Sequence, residues 1–108
     1  MTDDQTILLT ELVELNTKIQ NADDKQDVIS YLNTAIRLAS IVEPHPFPNE
    51  AAAAVRKGMC LRIVQNEALY IDGDNYKDIA TVRYSAALTL LMLINIFTAD
   101  PIPMHGRF

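Results

Sequence analysis

Residues 71–78 read IDGDNYKD, with the carboxylates of Asp72, Asp74 and Asp78 at the close spacing of oxygen-rich cation sites. An EF-hand calcium loop needs glycine at its sixth position and a bidentate glutamate at its twelfth. Counted from Asp72, those positions hold Lys77 and Arg83. The template fails, and the segment reads as a turn that caps the following helix. Glu11 and Glu14 form a second acidic pair, at helical spacing. A magnesium site built on such a pair needs further acids from a second helix, and the sequence offers only Asp27 and Asp78. His45 and His105 both lie among prolines, and no Cys/His set has metal-ligand spacing. Nothing local groups Ser, His and Asp, or Cys and His, for nucleophilic catalysis. The expectation is a protein without metal, cofactor or catalytic residue, and not an enzyme.

Arg83 carries the most chemical interest. On a helical wheel it shares a side with Ile79, Ala86, Ala87, Leu90 and Ile94. A guanidinium on an apolar face must find an anion, because burying it unpaired costs several kcal/mol. Two partners suit it. One is an acid of the N-terminal half, or the carbonyls of a helix C-terminus. The other is a small anionic ligand such as a nucleotide, since arginine matches phosphate at two points. In that second case Arg56, Lys57 and Arg62 add positive charge, and Tyr84 stacks a base.

The elements that position these residues follow from composition and periodicity. The chain has 108 residues, 49% of them apolar and 21% charged, which suits one globular domain. Its net charge of −5 speaks against a nucleic-acid surface, which needs clustered Lys and Arg. The acids concentrate in the first half, giving two helical layers of complementary charge or an acidic face for a basic partner. Cys60 is the single cysteine and reads as a buried, inert thiol. An acidic start and no apolar leader run point to the cytoplasm.

Apolar residues recur at helical spacing throughout, and no convincing alternating segment appears. Thr2, Asp3 and Asp4 cap a first helix, residues 4–20, with a seam of Leu8, Leu12, Leu15 and Ile19. NADDK breaks it and caps a second, residues 25–42, with a seam of Val28, Leu32, Ala35, Ala39 and Val42. EPHPFPN then stops helical growth. It is expected as a rigid crossover with Phe47 tucked into the core, or as a docking edge presenting His45 and Phe47. Asn49 caps a third helix, residues 50–70, whose apolar residues sort poorly. Val55, Met59 and Ile63 form one stripe; Cys60, Val64 and Ile71 form another. Ala51, Ala54 and Gly58 are small enough to meet Ala35 and Ala39 closely. The fourth helix spans residues 76–98, followed by a tail, residues 99–108.

That last helix is apolar on nearly every side, yet SAALTLLMLINIF is too short to cross a bilayer. A helix apolar all round must be covered all round. The expected architecture is an all-α, four-helix bundle-like single domain, with the fourth helix central or at an oligomer interface. A second copy covering Leu88, Leu91, Met92, Asn95, Ile96 and Phe97 satisfies this, with Asn95 fixing register. The tail, with His105, Arg107 and Phe108, reads as an arm over a neighbouring subunit or pocket, or as a frayed end. The expected function is a small homo-oligomer that binds another protein, as regulators, antitoxin- or immunity-like inhibitors and phage accessory proteins do. The alternative is an oligomer holding a nucleotide-like anion at subunit junctions.

Overall fold

Each helix begins where the sequence supplies a side-chain acceptor for the unpaired amides of a first turn. Thr2 caps α1 (Asp3–Gln20), accepting from the Gln5 amide at 3.1 Å, while Gln5 Oε1 accepts from the Thr2 amide at 3.0 Å. Asp24 caps α2 (Lys25–Ser40) through the Gln26 amide. Asn49 caps α3 (Glu50–Asp72) through the Ala52 amide, and Asp78 caps α4 (Ile79–Asn95) through the Thr81 amide. This computed structural model describes residues 2–98.

The helix ends differ slightly from the expectation. α4 starts at Ile79 rather than residue 76, because the capping acceptor is Asp78. It stops at Asn95, and Ile96 and Phe97 turn back onto the bundle end. α2 stops at Ser40. Beyond it the ammonium of Lys57 donates to the Ser40 carbonyl at 2.9 Å and the Val42 carbonyl at 2.7 Å. A lysine from α3 thus serves the negative end of α2.

The helices run alternately up and down. The Lys25 ammonium reaches the Asp72 carbonyl and pairs with Asp74, so the start of α2 lies by the end of α3. At the opposite end, Gln5 Nε2 donates to the Glu43 carbonyl at 2.8 Å, and the His45 amide donates to the Ile96 carbonyl at 3.0 Å. Neighbouring helices pack around the ring, and α2 and α4 also touch across the diagonal, whereas α1 and α3 do not. That approach needs small side chains, and Ala35, Ala39 and Ala86 are all fully buried.

The expected seams of α1 and α2 line the core: Leu8, Leu12, Leu15 and Ile19 from one, Val28, Leu32, Ala35 and Ala39 from the other. α4 adds Val82, Ala86, Leu90, Leu93 and Ile94. α3 turns in Ala53, Val64, Ala68 and Ile71. Its other stripe faces out, which corrects one expectation. Ala51, Ala54 and Gly58 are exposed and do not meet Ala35 and Ala39, and a Cβ built on Gly58 finds open space. Phe47 is also not tucked into the core. It is 66% exposed, while Pro44 is the buried residue of the crossover. No helix among the described residues is long and apolar enough to cross a membrane.

Candidate functional site

Within the 71–78 segment the carboxylates of Asp74 and Asp78 do separate jobs, and Asp72 contributes its backbone carbonyl. Asp74, in a left-handed conformation at φ 57°, pairs with Lys25. Asp78 caps α4, and the Thr81 amide, then the Thr81 hydroxyl, hold its carboxyl below the usual carboxylate range. The Asp72 carbonyl accepts from Lys25. No group of three or more His, Cys, Asp and Glu that could hold a metal ion occurs among the described residues. Glu14 is exposed, and Glu11 lines a shallow groove with Asp4 between α1 and α2.

The five residues expected to gather around an anion do not gather. Arg83 lies near one end of the bundle, where its Nε donates to the Ala22 carbonyl at 2.5 Å and its Nη2 meets Asp23 at 3.4 Å. Ala22 follows α1, so Arg83 has both a helix C-terminal carbonyl and an N-terminal acid as partners. Lys57 and Arg56 sit at the other end. Lys57 serves α2, and Arg56 donates to the Phe47 carbonyl and lies over the Phe47 ring. Arg62 is exposed on mid-α3, and Tyr84, 70% exposed, stands on α4. Arg83 and Tyr84 share a groove; the three α3 bases belong to other surfaces. The antiparallel run of α3 and α4 separates them.

The expected interface residues divide as well. Ile96 and Phe97 are enclosed by their own chain, Phe97 completely, because the chain folds inward after α4. They belong to the core of the monomer and not to an open face. Leu93 and Ile94 point the same way, whereas Leu88 is exposed and Leu91 and Met92 are half-buried. Asn95 is half-buried. His105, Arg107 and Phe108 lie outside the described residues.

A hollow of about 450 Å³ runs between α1 and α4. Ala80, Ala87, Leu88 and Leu91 line it, Tyr84 stands beside them, and Asn16, Gln20 and Arg83 supply its polar rim. Asn16 is fixed, its Nδ2 donating to the Ala87 carbonyl at 2.9 Å and its Oδ1 accepting from Gln20. Two further hollows are more acidic. One, between α1 and α2, has Asp4 and Glu11 among its lining; the other, at the crossover, has Glu43 and Glu50.

α3 carries a flank of exposed large apolar residues. Val55 (62% exposed), Met59 (57%) and Ile63 stand at four-residue spacing, and Leu69 (64%) and Tyr70 extend the flank. Arg62 is the charged residue among them. The stripe of Val55, Met59 and Ile63 is visible in the sequence; its exposure is not. Apolar residues circle α3, so periodicity does not say which row faces in.

A polar network that sequence inspection missed closes the α3–α4 turn. The Tyr76 hydroxyl donates to Glu67 Oε1 at 2.9 Å and lies 2.8 Å from Ser85 Oγ. Burial, aided by the Glu67 carboxylate, pushes the Tyr76 hydroxyl up against the opposing Ser85 hydrogen bond. Tyr76 also meets the edge of Tyr70 at 5.1 Å between centroids. The network sits within the wall of the bundle and lines none of the three hollows.

Comparison with protein-family models, curated proteins and solved structures finds no match.

Proposed function

We propose that this protein works by holding another protein and does so as a homo-oligomer, in the manner of a small regulator or inhibitor. The observation that carries this reading is the bare flank of α3. A 23-residue helix is about 34 Å long. Val55, Met59, Ile63, Leu69 and Tyr70 keep much of that length apolar and open to water. An exposed apolar row of this kind, interrupted by Arg62 and Asn66, suits an interaction site on a small protein. Fully burying each such side chain is worth about 1.5–3 kcal/mol, and these are already partly covered, so each adds a fraction of that. Arg62 gives the flank one charged anchor, suited to a carboxylate on an otherwise apolar helix of the partner.

An anionic ligand has less support. Arg83 Nε donates to the Ala22 carbonyl and its Nη2 meets Asp23, Lys57 Nζ donates to the Ser40 and Val42 carbonyls, and the remaining bases lie on other surfaces.

Site-specific photocrosslinking in living cells tests the proposal. A crosslinking amino acid at position 59 is expected to capture a discrete second polypeptide. The same group at position 14, an exposed position on α1, is expected not to capture it. Equal capture from both positions, or none from position 59, sinks the proposal.

A further inference from the structure

We infer that the face formed by α1 and α4 is where two copies of this chain pair, leaving the α3 flank free for the other protein. This deepens the reading above by giving each contact its own face. α4 carries two apolar rows. Val82, Ala86, Leu90 and Leu93 point into the core. Ala80, Tyr84, Ala87 and Leu91 form the second row, spaced 4, 3 and 4 as in a helix–helix seam, and all four line the 450 Å³ hollow. When two α4 helices are laid antiparallel about a two-fold axis between Ala87 and Leu88, close to the helix midpoint, Ala87 of one copy stands opposite Leu88 of the other. Tyr84 then stands opposite Leu91. Each position sets a larger side chain against a smaller or flatter one. A single face thus supplies both ridge and hollow, the condition for an isologous pair.

Charge favours this face over the others. A chain of net charge −5 must meet itself where like charges are absent. The α1–α2 hollow has Asp4 and Glu11, and the crossover hollow has Glu43 and Glu50. Across a two-fold axis either set faces its own carboxylates. The α3 flank has Arg62 one residue past the helix midpoint, where it would confront its own copy. The α1–α4 hollow has one charged lining residue, Arg83, and Asp23 and the Ala22 carbonyl meet it within the chain.

The area is sufficient for a concentration-dependent dimer. α4 has 17 residues and spans about 26 Å, and two adjacent helices about 10 Å across give a footprint of about 500 Å². Stable pairs bury about 800 Å² of accessible surface on each partner, so this face belongs at the weaker end of specific interfaces.

Sedimentation equilibrium of the full chain, from about 10 μM to about 1 mM, tests the inference. The wild type is expected to pass from one to two copies over that range. Tyr84→Lys and Leu88→Glu are expected to stay single, a loss of at least about 100-fold in affinity. Both positions are exposed, and circular dichroism checks that each variant is folded. Met59→Glu is expected to dimerise like the wild type. With Cys60 replaced by Ser, Tyr84→Cys combined with Leu91→Cys is expected to give a covalent dimer on mild oxidation. A wild type that stays single throughout overturns the inference, as does a dimer lost in Met59→Glu but kept in Tyr84→Lys. A wild type that stays single also removes the homo-oligomer from the proposed function, whereas capture of a foreign polypeptide from position 59 is scored separately, so the pairing face and the protein-holding flank can each fail without the other.

Discussion

Arg83 Nε donates to the carbonyl of Ala22 at 2.5 Å, joining residues 61 positions apart. The bond ties the start of α4 to the end of α1, and the same guanidinium meets Asp23 at 3.4 Å. Arg83 therefore closes the bundle at this end. Arg83→Met is expected to lower unfolding free energy by about 1.5–3 kcal/mol, the range for a hydrogen bond from a charged donor, read by urea denaturation. Wild-type melting temperature is expected to stay unchanged on adding nucleotides or inorganic phosphate. A large ligand-dependent rise that vanishes in Arg83→Met would restore the anion-binding reading.

Phe97 and Leu88 separate core from surface on the same chain segment. Phe97 is fully enclosed, and Phe97→Ala is expected to cost about 3–5 kcal/mol, independent of protein concentration. Leu88→Ala is expected to cost under about 1 kcal/mol in dilute solution, because the side chain is exposed. Thermal and urea unfolding at two protein concentrations check both values.

Gly58 lies inside α3 with no neighbour within 4 Å of a built Cβ. Glycine within a helix is less favourable than alanine by about 0.5–1 kcal/mol. Gly58→Ala is expected to stabilise the fold by that amount and raise the melting temperature. A loss of stability would show that another surface already occupies this space.

Burial pushes the Cys60 thiol above its ordinary value, and nearby Arg56 opposes this more weakly. The thiol is thus expected to react slowly with iodoacetamide near neutral pH, and faster once urea unfolds the chain. The linkage has a definite sign. A raised folded value means the contribution is full below the unfolded thiol value and is lost as pH rises through the folded one. Cys60→Ser is therefore expected to flatten the fall in stability at alkaline pH, measured by urea midpoints between about pH 7 and 10.

Local chemistry alone determined the all-helical architecture, most helix starts and the inward rows of α1 and α2. Thr2, Asp24, Asn49 and Asp78 cap because their short side chains reach an amide of the following turn, whatever the rest of the chain does. The nature of Arg83's partners was also legible, since a guanidinium on an apolar row needs a carbonyl or an acid. Tertiary structure decided the rest. Periodicity says which residues share a side of a helix but not which side a neighbour covers. On α3, packing chose Val64, Ala68 and Ile71 for the core and left Val55, Met59 and Ile63 in water. After α4, the inward turn of the chain placed Ile96 and Phe97 in the core, and the antiparallel course of α3 carried Arg56 and Lys57 away from Arg83. Such choices depend on contacts between residues far apart in the chain, which no local stretch encodes.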